Sequence, residues 1–113
     1  MLKVTASTGI ITTVAANGYA GYAGDGGSAL SAQTYWPLGI ALDSSDNFYF
    51  SENGNHRVRK VTVSTGIIST VAGSGNCCAG SGGYSGDNGQ ATSATLNSPH
   101  RLGLDTSGTT IPL

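Results

Sequence analysis

The side chains of this sequence that could do chemistry gather in one short stretch, Glu52-Asn53-Gly54-Asn55-His56-Arg57. The Asn-Gly pair predicts a tight turn between two strands. Two interpretations of His56 and Arg57 stay open. In the favoured one their side chains hydrogen-bond this turn and the backbone of the adjacent strand, and in the other they bind an acidic partner. Glu52 ends a strand, where a carboxylate commonly accepts turn N–H groups. The stretch therefore predicts binding residues (His56, Arg57, Glu52 and Asn53) and no catalytic residue.

Trp36 is the fifth candidate binding residue. It stands before Pro37 at the start of a predicted strand, where a proline is tolerated because its missing N–H is not needed. The favoured interpretation is a packing residue between sheets, and the alternative is a ring that stacks on a ligand.

No metal or cofactor site is predicted. Cys77 and Cys78 are adjacent in a glycine-rich stretch, where an ordinary disulfide between them would be strained. We expect two loop thiols, with a vicinal or intermolecular disulfide as the alternative. The run Gly82-Gly83-Tyr84-Ser85-Gly86-Asp87 is similar to a calcium-binding GGxGxD element, but a serine replaces its third glycine and the element is not repeated in tandem.

The composition excludes several classes of partner. Only 10% of the residues are charged, and the net charge of −1 offers no basic surface for nucleic acid. No apolar run approaches the roughly 20 residues needed to span a bilayer. Low charge with abundant glycine, serine and threonine favours an extracellular or cell-envelope location.

The sequence nearly repeats itself. Residues 3–15 (KVTASTGIITTVA) and 60–72 (KVTVSTGIISTVA) are identical at eleven of thirteen positions, at an offset of 57. Further along, residues 24–43 parallel residues 86–105 at an offset of 62. Internal repetition of this length is typical of solenoids, propellers and arrays.

The elements that position the candidate residues are short strands. Alternating apolar residues predict strands at 38–43, 47–51, 56–62 and 67–72, joined by tight turns into a four-stranded antiparallel meander. Residues 2–5 and 10–15 match its third and fourth strands, and residues 101–105 match its first. The small-residue runs 28–33 and 90–96 predict one or two turns of helix, with their alanines against the sheet edges.

The motif that runs from Leu38 through Asn55-His56-Arg57 to Val61 resembles an NHL repeat, with Arg57 in the third place of the name-giving triplet. The resemblance implies an all-β fold, in which this chain forms four-stranded antiparallel blades of an incomplete β-propeller. It also implies a non-catalytic scaffold that binds a protein. The alternative is a fragment of a propeller enzyme, similar to a lyase that holds a metal in its channel, with the active site on missing blades. The histidines of that metal site have no counterparts here.

The resemblance divides the chain into five parts. They are the second half of a preceding blade (1–15), a glycine-rich connection (16–36), a complete blade (37–72), a second connection (73–98) and the start of a following blade (99–113). Because repeats of this kind need about three units to bury their faces, we expect either a fragment of a larger propeller or a homo-oligomer that closes one between chains. The fragment is favoured, since Met1 falls in the middle of a repeat.

Overall fold

The fold is built from two antiparallel sheets, described by a computed structural model for residues 1–75 and 85–105. The first sheet is a hairpin and the second is a meander in the order β3-β4-β5-β6. The prediction of an all-β chain with one four-stranded blade is confirmed. The strands are β1 (Leu2–Thr5), β2 (Ile10–Thr13), β3 (Pro37–Leu42), β4 (Phe48–Glu52), β5 (Arg57–Thr62) and β6 (Ile67–Ala72).

The four-stranded sheet, called the blade below, has two distinct faces because side chains alternate along each strand. Phe50 on β4 stands opposite Ile40 on β3 and Arg59 on β5, so these three side chains share one face, the first face. Phe48 and Val61 lie on the same face. Tyr49 and Ser51 belong to the opposite, second face. The central strand β4 is buried along its whole length.

The hairpin between β4 and β5 forms as predicted, but its Asn-Gly pair does not supply the left-handed residue. His56 takes that conformation, with φ +52°. The loops after β1 and β5 likewise end in a left-handed residue, Gly9 and Gly66, each with φ +70°. Gly54 is needed for a different reason: the ring of Tyr35 lies where its Cβ would be.

The core of the blade is closed by the first connector (residues 16–36), which crosses the first face. The predicted helical turn is confirmed as a single turn of 3-10 helix at Ala29–Ser31. Ala29 and Ala32 are buried there against Phe48, Phe50, Val61 and Ile68. The connector is fixed to the outer strand of the blade, since Ile68 donates its N–H to Gly27 and Ala29 donates to Gly66.

The second connector (residues 73–98) repeats the backbone of the first where it is described. Both contain a 3-10 turn, the second at Ala91–Ser93. Gly24 and Gly86 have φ values of +100° and +99°, and Trp36 and Ser98 have +50° and +47°. The repetition seen in the sequence is therefore a repetition of conformation, even where the side chains differ.

Residues 101–105, which match the first strand of a blade, are not assigned to a strand. A strand needs a hydrogen-bonded neighbouring strand, and the strand pairings of the described residues do not include this segment. It begins against the second face, where the Ser51 hydroxyl donates to the carbonyl of His100 at 2.9 Å. Cys77, Cys78 and the first half of the GGxGxD-like run lie outside the described residues. In the part of the chain that is described, no helix is long and apolar enough to cross a membrane.

Candidate functional site

Polar side chains of the first face and of the first connector form a cluster centred on Arg59, which we call the polar cluster (Asp25, Glu52, Asn55 and Arg59). The Arg59 side chain is fully buried. Its Nε and Nη2 donate to Oδ1 of Asp25 at 3.2 and 3.0 Å. Its Nη1 donates to the carbonyl of Gln33 at 2.7 Å, and Nη2 also donates to that of Ala23 at 3.1 Å. One guanidinium on the blade thus holds three residues of the first connector.

Glu52 is the buried acid of the cluster. Its Oε1 lies 3.5 Å from Nη1 of Arg59 and accepts the N–H of Tyr35 at 3.2 Å. Its Oε2 accepts Nδ2 of Asn55 at 3.2 Å. Burial raises the pKa of Glu52, and the charge of Arg59 and these hydrogen bonds only partly oppose the rise. These contacts make Glu52 a structural acid between blade and connector.

Asp25 is the acid of the cluster that comes from the connector. Burial by itself would raise its pKa, but hydrogen bonds from Thr70 and Tyr22 and the charge of Arg59 outweigh burial and lower it below 3.8. Tyr22 donates its hydroxyl at 2.7 Å, and Thr70 donates its backbone N–H at 3.1 Å. The ionised carboxylate therefore joins the connector to both β5 and β6.

The lowered pKa of Asp25 predicts an acid-sensitive fold. The ionised carboxylate of Asp25 contributes its full stabilisation at pH values above its pKa in the unfolded chain, near 3.8. This stabilisation is lost as the pH falls through the lower pKa that Asp25 has in the folded chain. Wild-type protein should therefore lose more stability than Asp25→Asn between about pH 5 and pH 2. Glu52, whose pKa is raised, changes the stability in the opposite direction as the pH falls. Because Glu52 is present in both proteins, the comparison of wild type with Asp25→Asn largely removes its contribution.

Urea unfolding followed by circular dichroism at several pH values measures this difference. Asp87→Asn is the matched control, because Asp87 occupies the equivalent place in the second connector and is not a partner of Arg59. Parallel pH profiles for wild type and Asp25→Asn would contradict the role given to the carboxylate.

The five residues predicted as a binding surface lie near one another, and the side chains of four of them form hydrogen bonds within the chain. Glu52 is buried in the polar cluster. Asn53 donates its N–H to the carbonyl of Trp36 at 2.9 Å and its Nδ2 to that of Ser98 at 3.2 Å. His56 accepts the N–H of Ser98 at its Nδ1, at 2.8 Å.

Arg57 also binds a connector. Its Nη2 donates to the carbonyl of Ser74 at 2.7 Å, and its guanidinium lies 3.6 Å from the centre of the Tyr22 ring. We expected the side chains of His56 and Arg57 to hydrogen-bond their own hairpin and the adjacent strand. That expectation is wrong, because both side chains reach outward to connector residues. The turn thus fastens both connectors to the blade.

Trp36 is the predicted residue that stays exposed. Its side chain is 64% exposed, so it does not pack between the described sheets as expected. It stacks on Tyr35, with ring centroids 5.6 Å apart and an interplanar angle of 20°. Tyr19, exposed nearby, lines the same open cleft of about 660 Å³ together with Asn17 and Thr34. We call Tyr19, Tyr35 and Trp36 the aromatic patch.

The second connector shows that the fold does not require this patch. Asn97 and Ser98 occupy the places of Tyr35 and Trp36, and Ser98 adopts nearly the same backbone φ as Trp36. A left-handed conformation is costly for a bulky residue such as tryptophan. The aromatic side chains are therefore a property of one repeat, and backbone geometry does not explain them.

Sequence reasoning missed Asp25 and Arg59, which hold the connector to the blade. One signal was available for Asp25: a Gly-Asp pair occurs in both connectors, at 24–25 and 86–87. A signal was also available for Arg59: it stands two residues before Val61 in a predicted strand, so its charged side chain lies on the same face as an apolar one. Among the described residues no group of three or more His, Cys, Asp or Glu side chains could hold a metal ion.

Comparisons with known proteins agree with this architecture. Residues 34–61 match the family model described as NHL repeat. The structure is similar to that of a structural genomics protein of unknown function from Bacteroides thetaiotaomicron, with a TM-score of 0.74 and 24% identity. The match covers 95% of this chain but 25% of that one, so the chain spans about a quarter of its length. A search of curated proteins finds no match. Both similarities fit an incomplete β-propeller.

Proposed function

We propose that this chain, which carries an NHL repeat at residues 34–61, is a segment of a β-propeller scaffold that binds a protein partner and performs no chemistry itself. The observation that carries the proposal is the use made of the charged side chains. Asp25, Glu52, Arg57 and Arg59 all bind across the boundary between a connector and the blade. Side chains engaged in this way fix the scaffold and are poorly placed to act on a substrate.

The surface left for recognition is apolar and aromatic. Tyr19 and Trp36 are 72% and 64% exposed, and they border an open cleft rather than an enclosed pocket. Aromatic residues with a polar edge are enriched at protein interfaces, because they contribute large contact areas at low entropic cost. With a net charge of −1, the chain offers little electrostatic steering. We therefore infer that a protein partner contacts the aromatic patch.

Site-specific photocrosslinking in the native cell tests this role. A photoreactive amino acid at position 19 should give adducts with a partner protein, while the same amino acid at the exposed Ser45 should not. Adding Trp36→Ser should remove the adducts without unfolding the chain, because Ser98 takes the same backbone conformation in the second connector. Adducts that persist with Trp36→Ser, or that form equally at position 45, would contradict the proposal.

A further inference from the structure

The aromatic pair Tyr35-Trp36 is held by three consecutive residues at the turn between β4 and β5. Glu52 accepts the N–H of Tyr35 on its Oε1 at 3.2 Å. Asn53 donates its N–H to the carbonyl of Trp36 at 2.9 Å. The ring of Tyr35 lies directly against Gly54, in the space that a Cβ there would need. The pair is therefore fixed at both ends of its backbone and at one of its rings.

Gly54 is the residue of this turn whose type decides where the Tyr35 ring lies. The bond from Asn53 to Trp36 comes from the backbone, so it does not depend on the Asn53 side chain, which binds Ser98 instead. A Cβ on Gly54 would come within 2.8 Å of Cγ of Tyr35, a separation that real Cβ atoms essentially never show. Gly54 does not have a positive φ, so alanine can adopt its backbone conformation. The requirement for glycine therefore comes from the ring and not from the turn.

The Tyr35 ring in turn orients Trp36. The two rings stack with their centroids 5.6 Å apart and an interplanar angle of 20°. Tyr35 is 40% exposed and Trp36 is 64% exposed, so both rings have open solvent to turn into once the stack is lost. A ring that is already ordered before a partner arrives loses less conformational entropy on binding.

We propose that Gly54 is a positioning residue of the proposed binding site: by leaving room for the Tyr35 ring, it fixes the stack through which Trp36 is presented to a partner protein. The inference rests on the proposed function for the existence of the partner. The orientation of the two rings is a property of the free chain and can be measured without a partner.

Acrylamide quenching of Trp36 fluorescence tests the positioning in the free chain, because Trp36 is the only tryptophan of the sequence. Gly54→Ala should displace the Tyr35 ring, uncover one face of the indole and raise the quenching constant to that of Tyr35→Asn. Asparagine is suited to this position, since Asn97 occupies the equivalent place in the second connector. Gly103→Ala is the matched control and should behave as wild type, because its Cβ position is open and its φ is not positive.

A double variant tests whether the glycine and the ring act on each other directly. Gly54→Ala should lower the urea midpoint when Tyr35 is present and leave it unchanged in Tyr35→Asn, where the ring is absent. If Gly54→Ala alone loses the β signal in circular dichroism, the double variant should recover it. Equal shifts of the midpoint in both backgrounds would mean that the turn itself needs the glycine, and would overturn the inference. A quenching constant for Gly54→Ala equal to that of wild type would also overturn it.

Photocrosslinking from position 19 tests whether the positioned stack serves binding. Gly54→Ala should reduce the yield of adducts several-fold, and Gly103→Ala should leave it unchanged. An unchanged yield with Gly54→Ala, in a chain where Trp36→Ser removes the adducts, would overturn the positioning role and leave the proposed function intact. Adducts that persist in both variants would overturn the proposed function, and with it the role of Gly54 in binding.

Discussion

Arg59→Met is expected to lower the free energy of unfolding by about 3–5 kcal/mol, the typical result of removing one partner from a buried ion pair. Methionine fills much of the same space, so the loss is not one of volume. It arises because the buried carboxylate of Glu52 loses its nearest positive charge, at 3.5 Å, and Asp25 loses two hydrogen bonds. The carbonyl of Gln33 also loses the donor that Arg59 supplies, and the carbonyl of Ala23 keeps only the N–H of Gln33.

Urea unfolding of the whole chain, at one fixed protein concentration, measures this loss. Lys60→Met is the matched control, since Lys60 is the next residue on β5, points to the opposite face and is only partly buried. Its cost should stay below about 1 kcal/mol, as for most exposed charges. The triple variant Arg59→Met, Glu52→Gln, Asp25→Asn should recover part of the stability, because it no longer leaves the buried carboxylate of Glu52 and the partly exposed carboxylate of Asp25 without a cation. A cost below about 1 kcal/mol for Arg59→Met alone would mean that the polar cluster does not hold the connector.

The strands could be predicted from sequence because their signals are local. Alternation within 47–51 gives a strand that the structure places at Phe48–Glu52, and the turn at 53–56 follows from its asparagines and glycine. The 3-10 turn at Ala29–Ser31 was likewise indicated by a run of small residues. In each case the residues that decide the conformation are neighbours in the chain.

The polar cluster could not be predicted in the same way, because its partners are distant in sequence. Asp25 and Arg59 are 34 residues apart, and their contact depends on how the first connector crosses the blade. Arg57 and His56 illustrate the same difficulty. Their place at the turn was predicted, but their partners, Ser74 and Ser98, lie in the second connector. The sequence contains no local signal for which connector a turn will bind.

Phe50→Ala is expected to cost about 3–5 kcal/mol, the usual range for removing a fully buried phenylalanine. The Phe50 side chain is completely buried at the centre of β4, with the ring of Phe48 6.3 Å away. The alanine would leave a cavity that β3 and β5, paired on either side, cannot easily close. Urea unfolding of the whole chain measures this cost as well.

Ile40→Ala is the substitution to compare with Phe50→Ala. Ile40 stands directly opposite Phe50 on the same face, but it is 56% exposed. Its substitution should therefore cost only about 1 kcal/mol, because less than half of the residue is removed from water.

The two substitutions together separate the core of the blade from its exposed edge strand. Phe50 and Ile40 are paired with each other on the same face, so the difference between their costs measures how deeply each side chain is buried. A cost for Ile40→Ala as large as that for Phe50→Ala would mean that Ile40 is buried in solution, and would contradict the exposure that the structure gives it.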